Sequence, residues 1–365
     1  MELKEMLSKM MKENASDLHL KAGVPPVFRI DGTLRPTKDE ALSPEVLKKI
    51  ALQLMNKRQA EIFDRTKELD FAVGVAGLGR FRVNVYIQRG SVALSLRAIP
   101  VSAKRVDELN LPPVLKDMAS KPRGLILVTG TTGSGKSTTL AAMIEYINDN
   151  LNKNIITVED PIEFLFKDNT SVISQRELGT DTESFDSALK HVLRQDPDII
   201  LIGEIRDRAT IDVAVKAADT GHLVMSTLHT LNATETINRI ISFFPPHQHQ
   251  YIRVLLSATL IGVVSQRLIP RADGKGRVPA VEIMVSTPTI KDYIIDSTKS
   301  PLIQTAIEEG GQYKMQSFDQ SIMKLYKENL VSYEMAMQYV TNPDEFNLRL
   351  RGIKTTADKG WQDMG

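Results

Sequence analysis

The run GTTGSGKST, Gly130 to Thr138, constrains this chain more than any other segment. It fills every fixed position of the pattern G-x-x-x-x-G-K-[ST] with Gly130, Gly135, Lys136 and Ser137. Its surroundings fit too: Leu125 to Val128 reads as a buried strand, and Thr138 to Glu145 reads as the opening of a helix. A strand–loop–helix context turns this pattern into a phosphate-site expectation rather than an ordinary glycine-rich turn. The glycines let successive backbone N–H groups of Thr131, Thr132, Gly133 and Ser134 turn toward one point at a helix N-terminus. Lys136 would neutralise β- and γ-phosphate charge, and the Ser137 hydroxyl would ligate Mg²⁺, with Thr138 beside it.

The 365 residues suffice for two domains, each with its own core. Lys and Arg number 46 against 45 Asp and Glu, a net charge of +1. A domain that coats nucleic acid carries an excess of positive charge, so the balance argues against a nucleic-acid partner. Cysteine is absent, which removes disulfides and Cys-based zinc sites and fits a reducing compartment. The N-terminal stretch is charged and amphipathic without an apolar signal core, and no window approaches a membrane-spanning run. The expectation is a soluble cytoplasmic protein without an integral membrane segment.

Residues 1–100 read as a small α+β domain. A helical pattern covers Leu3 to Met11, and strand-like pieces cover 17–20, 26–30, 71–75, 79–86 and 92–98, the last two alternating polar and apolar residues. Ser43 to Arg58 reads as one helix with Ser43 as N-cap. Residues 101–112 are mostly polar and without a period, and read as a linker. From residue 113 onward, short apolar strands at 125–128, 155–158, 199–202 and 223–226 alternate with helical patterns such as 185–194 and 210–218. Such runs suit parallel strands buried on both faces, so the second domain, 113–365, reads as a doubly wound α/β fold. Its tail from Thr287 is mostly helical, with stretches at 315–328 and 332–339, and its end from Lys354 is polar.

Three further clusters carry chemistry. An apolar strand runs into Glu159, Asp160 and Glu163, where a carboxylate could activate a water; alternatively Asp160 caps a helix starting at Pro161. Ile199 to Ile202 runs toward Glu204, but the usual strand-end acid is replaced by Gly203. Mg²⁺ keeps most of its waters, so Glu204 could bind it through water while the general-base duty shifts to Glu163. Finally, His222 and His229 bracket the strand between them and could donate to a γ-phosphate. No third ligand for a metal is obvious there.

In order, these four segments resemble the phosphate loop, acidic box, atypical Walker B strand and histidine box of the secretion and pilus ATPase superfamily. Ala15 to Gly32, Gly311 to Gln316 and Phe318 to Ser321 are similar to its type IV pilus retraction branch, so the likeness spans nearly the whole chain. The resemblance implies a RecA-like ATPase domain with C-terminal helices, an N-terminal PAS-like domain and a homohexamer that hydrolyses ATP with Mg²⁺. It implies Glu163 as catalytic carboxylate, Glu204 as Walker B carboxylate, and His222 and His229 on the γ-phosphate-sensing strand. Arg82 and Arg97, with Arg80 as a third, are candidates to reach the nucleotide; the alternative is that they pair with surface acids. The implied role is a motor for pilus retraction and twitching motility, peripheral at the inner membrane and acting on the pilus platform protein there. An accessory pilus ATPase or a secretion or conjugation motor shares the same core. The absence of a four-cysteine zinc motif favours the retraction branch. One departure stands against it: where that branch often shows A-I-R-N-L-I-R-E, Thr289 to Asp296 carries Lys291 and Ile295 in place of both arginines.

Overall fold

Alternating apolar residues build the first sheet. The structure is a computed structural model that describes residues 2–101 and 103–352. The chain divides into two compact units; the N-terminal residues form the first together with Pro161–Leu165 and Gly179–Asp181. Its elements are α1 (Leu3–Lys12), β1 (Asp17–Leu20), β2 (Val27–Ile30), β3 (Thr33–Pro36), α2 (Pro44–Leu54), α3 (Lys57–Thr66), β4 (Glu68–Val75), β5 (Gly79–Gln88) and β6 (Ser91–Ile99). The strands lie in the order β3-β2-β1-β6-β5-β4, every pair antiparallel. Phe81, Val83 and Val85 of β5 face a core with Met6, Leu18, Phe28 and Leu47.

The single helix expected over Ser43 to Arg58 is two. It stops at Leu54, Met55 is extended, and Asn56 starts α3 through a reciprocal capping box with Gln59, both bonds 2.9 Å. A cap of this kind contributes about 1 kcal/mol, enough to favour a fresh start over continuation.

The second unit holds α4 (Val114–Ala119), β7 (Gly124–Thr129), α5 (Lys136–Asn150), β8 (Asn154–Glu159), β9 (Val172–Glu177), α6 (Phe185–Val192), β10 (Ile199–Ile202), α7 (Arg208–Asp219), β11 (Leu223–Leu228), α8 (Ala233–Ser242) and α9 (His249–Thr259). A hairpin follows, β12 (Leu260–Pro270) and β13 (Arg277–Val285), and then α10 (Pro288–Ile295), α11 (Leu302–Glu308), α12 (Phe318–Lys327), α13 (Tyr333–Tyr339) and α14 (Pro343–Leu350). The sheet order is β13-β12-β7-β11-β10-β8-β9, parallel throughout except for β13 at one edge. This mixed sheet bears out the α/β class. Leu125 and Leu127 bury on one face, Ile126 and Val128 on the other, which is why β7 is apolar at every central position.

Residues 103–112, read above as linker, group with this unit, where Val106 and Leu111 are buried. The stretch 315–328 is helical only from Phe318; Gln316 instead exchanges backbone hydrogen bonds with Ile283. The polar end from Lys354 lies outside the described residues. Among the described residues, no helix is long and apolar enough to cross a membrane.

Candidate functional site

At the C-terminal end of β7 the chain turns through Gly130, Gly133 and Gly135 at φ of 141°, 78° and 93°, all in the region that favours glycine. Gly130 and Gly135 are also pressed sterically. A Cβ on Gly130 would stand 2.4 Å from the Gln266 carbonyl oxygen, and one on Gly135 would stand 2.7 Å from the Gln266 amide nitrogen. Helix α5 starts with Lys136, whose Nζ is buried and donates to the Gly130 and Thr131 carbonyls at 2.8 and 3.0 Å. Ser134 is buried as well, and its hydroxyl has no hydrogen-bond partner among the described residues. Thr131, Thr132 and Gly133 form the exposed rim, with Ser137 and Thr138 half-buried in the first turn of α5. A buried cation, an unsatisfied hydroxyl and the uncapped N–H groups of a helix start all call for an anion with several acceptor oxygens.

The neighbouring strands end at the same level. Leu127 of β7 pairs with Ser226 of β11, Ser226 with Ile202 of β10, and Ile202 with Val158 of β8. Two residues past Ile202, Glu204 receives Arg206 at 2.9 Å and stands 3.2 Å from His229 Nε2. Arg206 also reaches Asp160 at 3.6 Å, and its bond to Glu204 strengthens its hold on the proton. Thr227 locks the turn by donating to the Gly203 carbonyl at 2.7 Å. Gly203 has a local cause: a Cβ there would lie 3.3 Å from the Glu159 Cα, so the usual strand-end acid would press on β8.

The structure thus brings Lys136, Ser137, Glu204 and His229 to one end of the sheet. It does not bring His222 there. His222 precedes β11 at the other end, where its Nδ1 lies 2.9 Å from the Ala217 carbonyl and its own carbonyl accepts from Gly124 N. With β11 between them, at about 3.3 Å per residue, that is roughly 20 Å from His229. Flanking a strand separates two residues as surely as it relates them, and His222 serves the helix-to-strand turn. The alternative reading of the acidic cluster, a helix starting at Pro161, is not what forms; 160–166 is irregular. Glu163 is exposed, on the Pro161–Leu165 segment that groups with the first unit.

Within the first unit, Arg82 pairs in register with Arg97 across β5 and β6, Arg97 with Asp17, and Asp17 with Arg29. Arg97 reaches Asp17 at 2.7 Å and Arg29 reaches it at 3.8 Å, while Arg82 lies 4.0 Å from Asp70. Burial raises the Asp17 pKa, but the Ser16 hydroxyl and Arg97 outweigh it and hold the carboxyl below its usual range. Asp17 stands between Arg97 and Arg29 in this row, whereas Arg82 and Arg97 are like charges directly opposite each other, an arrangement that is unfavourable unless an anion stands near.

Sequence reading missed the floor of the loop. Gln266 and Leu268 of β12, with Leu109, Leu111, Thr138 and Arg271, line a cavity of about 640 Å³ next to it, within the size range of small-ligand pockets. The hairpin tip adds Arg277, which donates to the Gly133 carbonyl at 3.4 Å. Three polar residues, Ser265, Gln266 and Arg267, interrupt the apolar pattern of β12 and are a signal the sequence carries there.

Strand–loop–helix geometry, a lysine buried against the loop it serves, and an acid at the end of the next strand but one define this chain as a phosphate-loop ATPase. The chain belongs to the type II/IV secretion system protein family, whose model matches residues 1–353. It is 42% identical over 346 residues to the type IV pilus retraction ATPase PilT of Pseudomonas aeruginosa, covering 95% of this chain and all of that protein. It is 41% identical over 363 residues to the type IV pilus ATPase PilU of the same organism, covering 98% and 94%. The crystal structure of the pilus retraction motor PilT with bound ADP matches with a TM-score of 0.87 at 43% identity, over 94% of this chain and 98% of that one.

Proposed function

We propose that the chain is an ATP-hydrolysing motor that drives type IV pilus retraction, and with it twitching motility. The observation that carries the reading is the loop itself, with Lys136 buried at its base and a 640 Å³ cavity beside it. Phosphates would occupy the loop, and sugar and base would extend into the cavity past Thr138, Leu109 and Leu268. The likeness to PilT over nearly the full length supports retraction as the work done.

The donor set suits Mg²⁺ in a sparse way. Among the described residues, no three His, Cys, Asp or Glu side chains cluster to hold a metal. Ser137 and, through water, Glu204 are the protein's oxygens for it, the rest coming from phosphate and water, as this ion prefers. When bound, it would supply charge neutralisation along the phosphates. Glu163 acts as the base that orients the attacking water, and Glu204 holds His229 in place by its 3.2 Å contact. Arg82 and Arg97 stabilise the charge of the transferring phosphoryl group, in a ring where one protomer completes another's site. The assembly is a homohexamer at the cytoplasmic side of the inner membrane, working on the pilus platform protein. The first unit is PAS-like over 1–100, and the second is RecA-like with the C-terminal helices included.

Lys136→Ala should abolish ATP turnover, and Glu163→Gln should reduce it at least 100-fold, while both variants still form hexamers by native mass measurement. Full turnover in Glu163→Gln would remove that residue from the chemistry. A deletion strain should be hyperpiliated and unable to twitch. Normal retraction in that strain would favour the second reading, another ATPase duty at the same pilus, which the equally close likeness to PilU supports.

A further inference from the structure

Gln266 stands where the floor of the phosphate loop meets the cavity beside it. Strand β12 runs parallel to β7, with Ser265 opposite Thr129, so Gln266 is level with the point where the loop leaves the sheet. It is only 3% exposed. Its backbone carbonyl fills the space next to Gly130, and its amide fills the space next to Gly135, so one residue closes on both ends of the loop. Its Oε1 accepts a hydrogen bond from the Thr139 hydroxyl at 2.6 Å, which fixes which way the amide faces. Thr139 is its side-chain hydrogen-bond partner, and the amide nitrogen is left toward the 640 Å³ cavity that Gln266 lines. That donor faces the cavity and meets no acceptor of the protein there, so an occupant that brings an acceptor oxygen can take its hydrogen bond.

We propose that Gln266 is a nucleotide-binding residue whose Nε2–H donates to an oxygen common to ATP and ADP, near the α-phosphate and ribose. The inference rests on the proposed nucleotide site. The sheet order places Gln266 away from the reacting end: β12 flanks β7 on one side, while Glu204 and His229 follow β10 and β11 on the other. A contact on this side holds the diphosphate and triphosphate alike, so it acts on binding and not on the chemical step.

The test compares the full chain with Gln266→Glu and Gln266→Met, measuring ATP turnover, ADP affinity and melting temperature. Gln266→Glu keeps the acceptor for Thr139 and replaces the donor with an oxygen; Gln266→Met keeps the bulk and loses both. The expected result is that KM for ATP and Kd for ADP rise together by roughly tenfold or more, the loss of one hydrogen bond to a charged group, while kcat changes less than about threefold. If Gln266→Met fails to fold, Gln266→Glu decides alone. Unchanged KM and Kd in Gln266→Glu would overturn the inference, as would a fall in kcat with KM intact, or a fall in melting temperature alone. Failure of the wild-type chain to bind ADP, or turnover surviving in Lys136→Ala, would instead sink the nucleotide site itself.

Discussion

Glu282 of β13 is a carboxyl group in a place hostile to carboxylates. It is 2% exposed, and burial pushes its pKa up to about 7 despite a 2.8 Å hydrogen bond from Ala233 N and the nearby Arg267. That bond anchors the start of α8, the helix entered shortly after His229 and Thr230. Because its folded pKa lies above the unfolded value, the folded state binds the extra proton. Stability is therefore full below about pH 4.5, declines as pH rises toward 7, and is level above that. Glu282→Gln keeps the acceptor for Ala233 and removes the titration. It should stabilise the chain at pH 8 by about 1–3 kcal/mol and leave it nearly unchanged at pH 4, as urea unfolding at the two values would read. No pattern in the sequence distinguishes this glutamate, because its character comes from what packs around it. Lys136, Ser137 and Glu204 are legible because a short local motif places each of them. Gln266 is not, since it meets the loop across 127 residues of chain, through Thr139.

At the scale of elements, the loop glycines differ among themselves. Gly133 has φ 78° and nothing within 4 Å of a Cβ, so Gly133→Ala meets only backbone strain, about 1–2 kcal/mol. Gly130→Ala must also displace the Gln266 carbonyl from 2.4 Å. ADP binding by calorimetry should weaken less than tenfold in Gly133→Ala and vanish in Gly130→Ala. The strands on either side show what a sequence reveals. β7, β8, β10 and β11 are short apolar runs buried on both faces, and each is legible to within two residues of its ends. The β12–β13 hairpin is hidden by the polar residues that interrupt it, although Asp273-Gly274 at its tip is a hairpin turn signal. The break at Met55 lies inside continuous helical periodicity, and only the Asn56 to Gln59 spacing betrays it.

Across the second unit as a whole, the C-terminal helices reach the sheet through both strands of the β12–β13 hairpin. Gln266 faces the loop, and its neighbour Arg267 faces the other way, donating to the Tyr339 carbonyl at 2.8 Å and stacking 3.9 Å from the Phe318 ring centroid. Arg267→Ala should lower unfolding stability by about 2–4 kcal/mol, because it removes a charged hydrogen bond and a cation–π interaction at once. Arg267→Lys should recover less than half, since an ammonium lacks the flat face; chemical denaturation checks both. That the tail is helical is legible in its periodicity. That it is bound to the strand beside the phosphate loop is not, because the residues that join them are single and far apart in the chain.

Gly203 leaves one consequence for anyone redesigning the protein. Consensus replacement is a dependable route to stability, because common residues usually suit their positions. Here the commonplace choice, an acid, would set a Cβ 3.3 Å from the Glu159 Cα, a tight contact that β8 must yield to by a few tenths of an ångström. The glycine fits the close approach of the chain after β10 to Glu159 at the end of β8, and Glu204 follows it directly. A library guided by motif frequency would place its first change at one of the tightest backbone approaches in this part of the sheet.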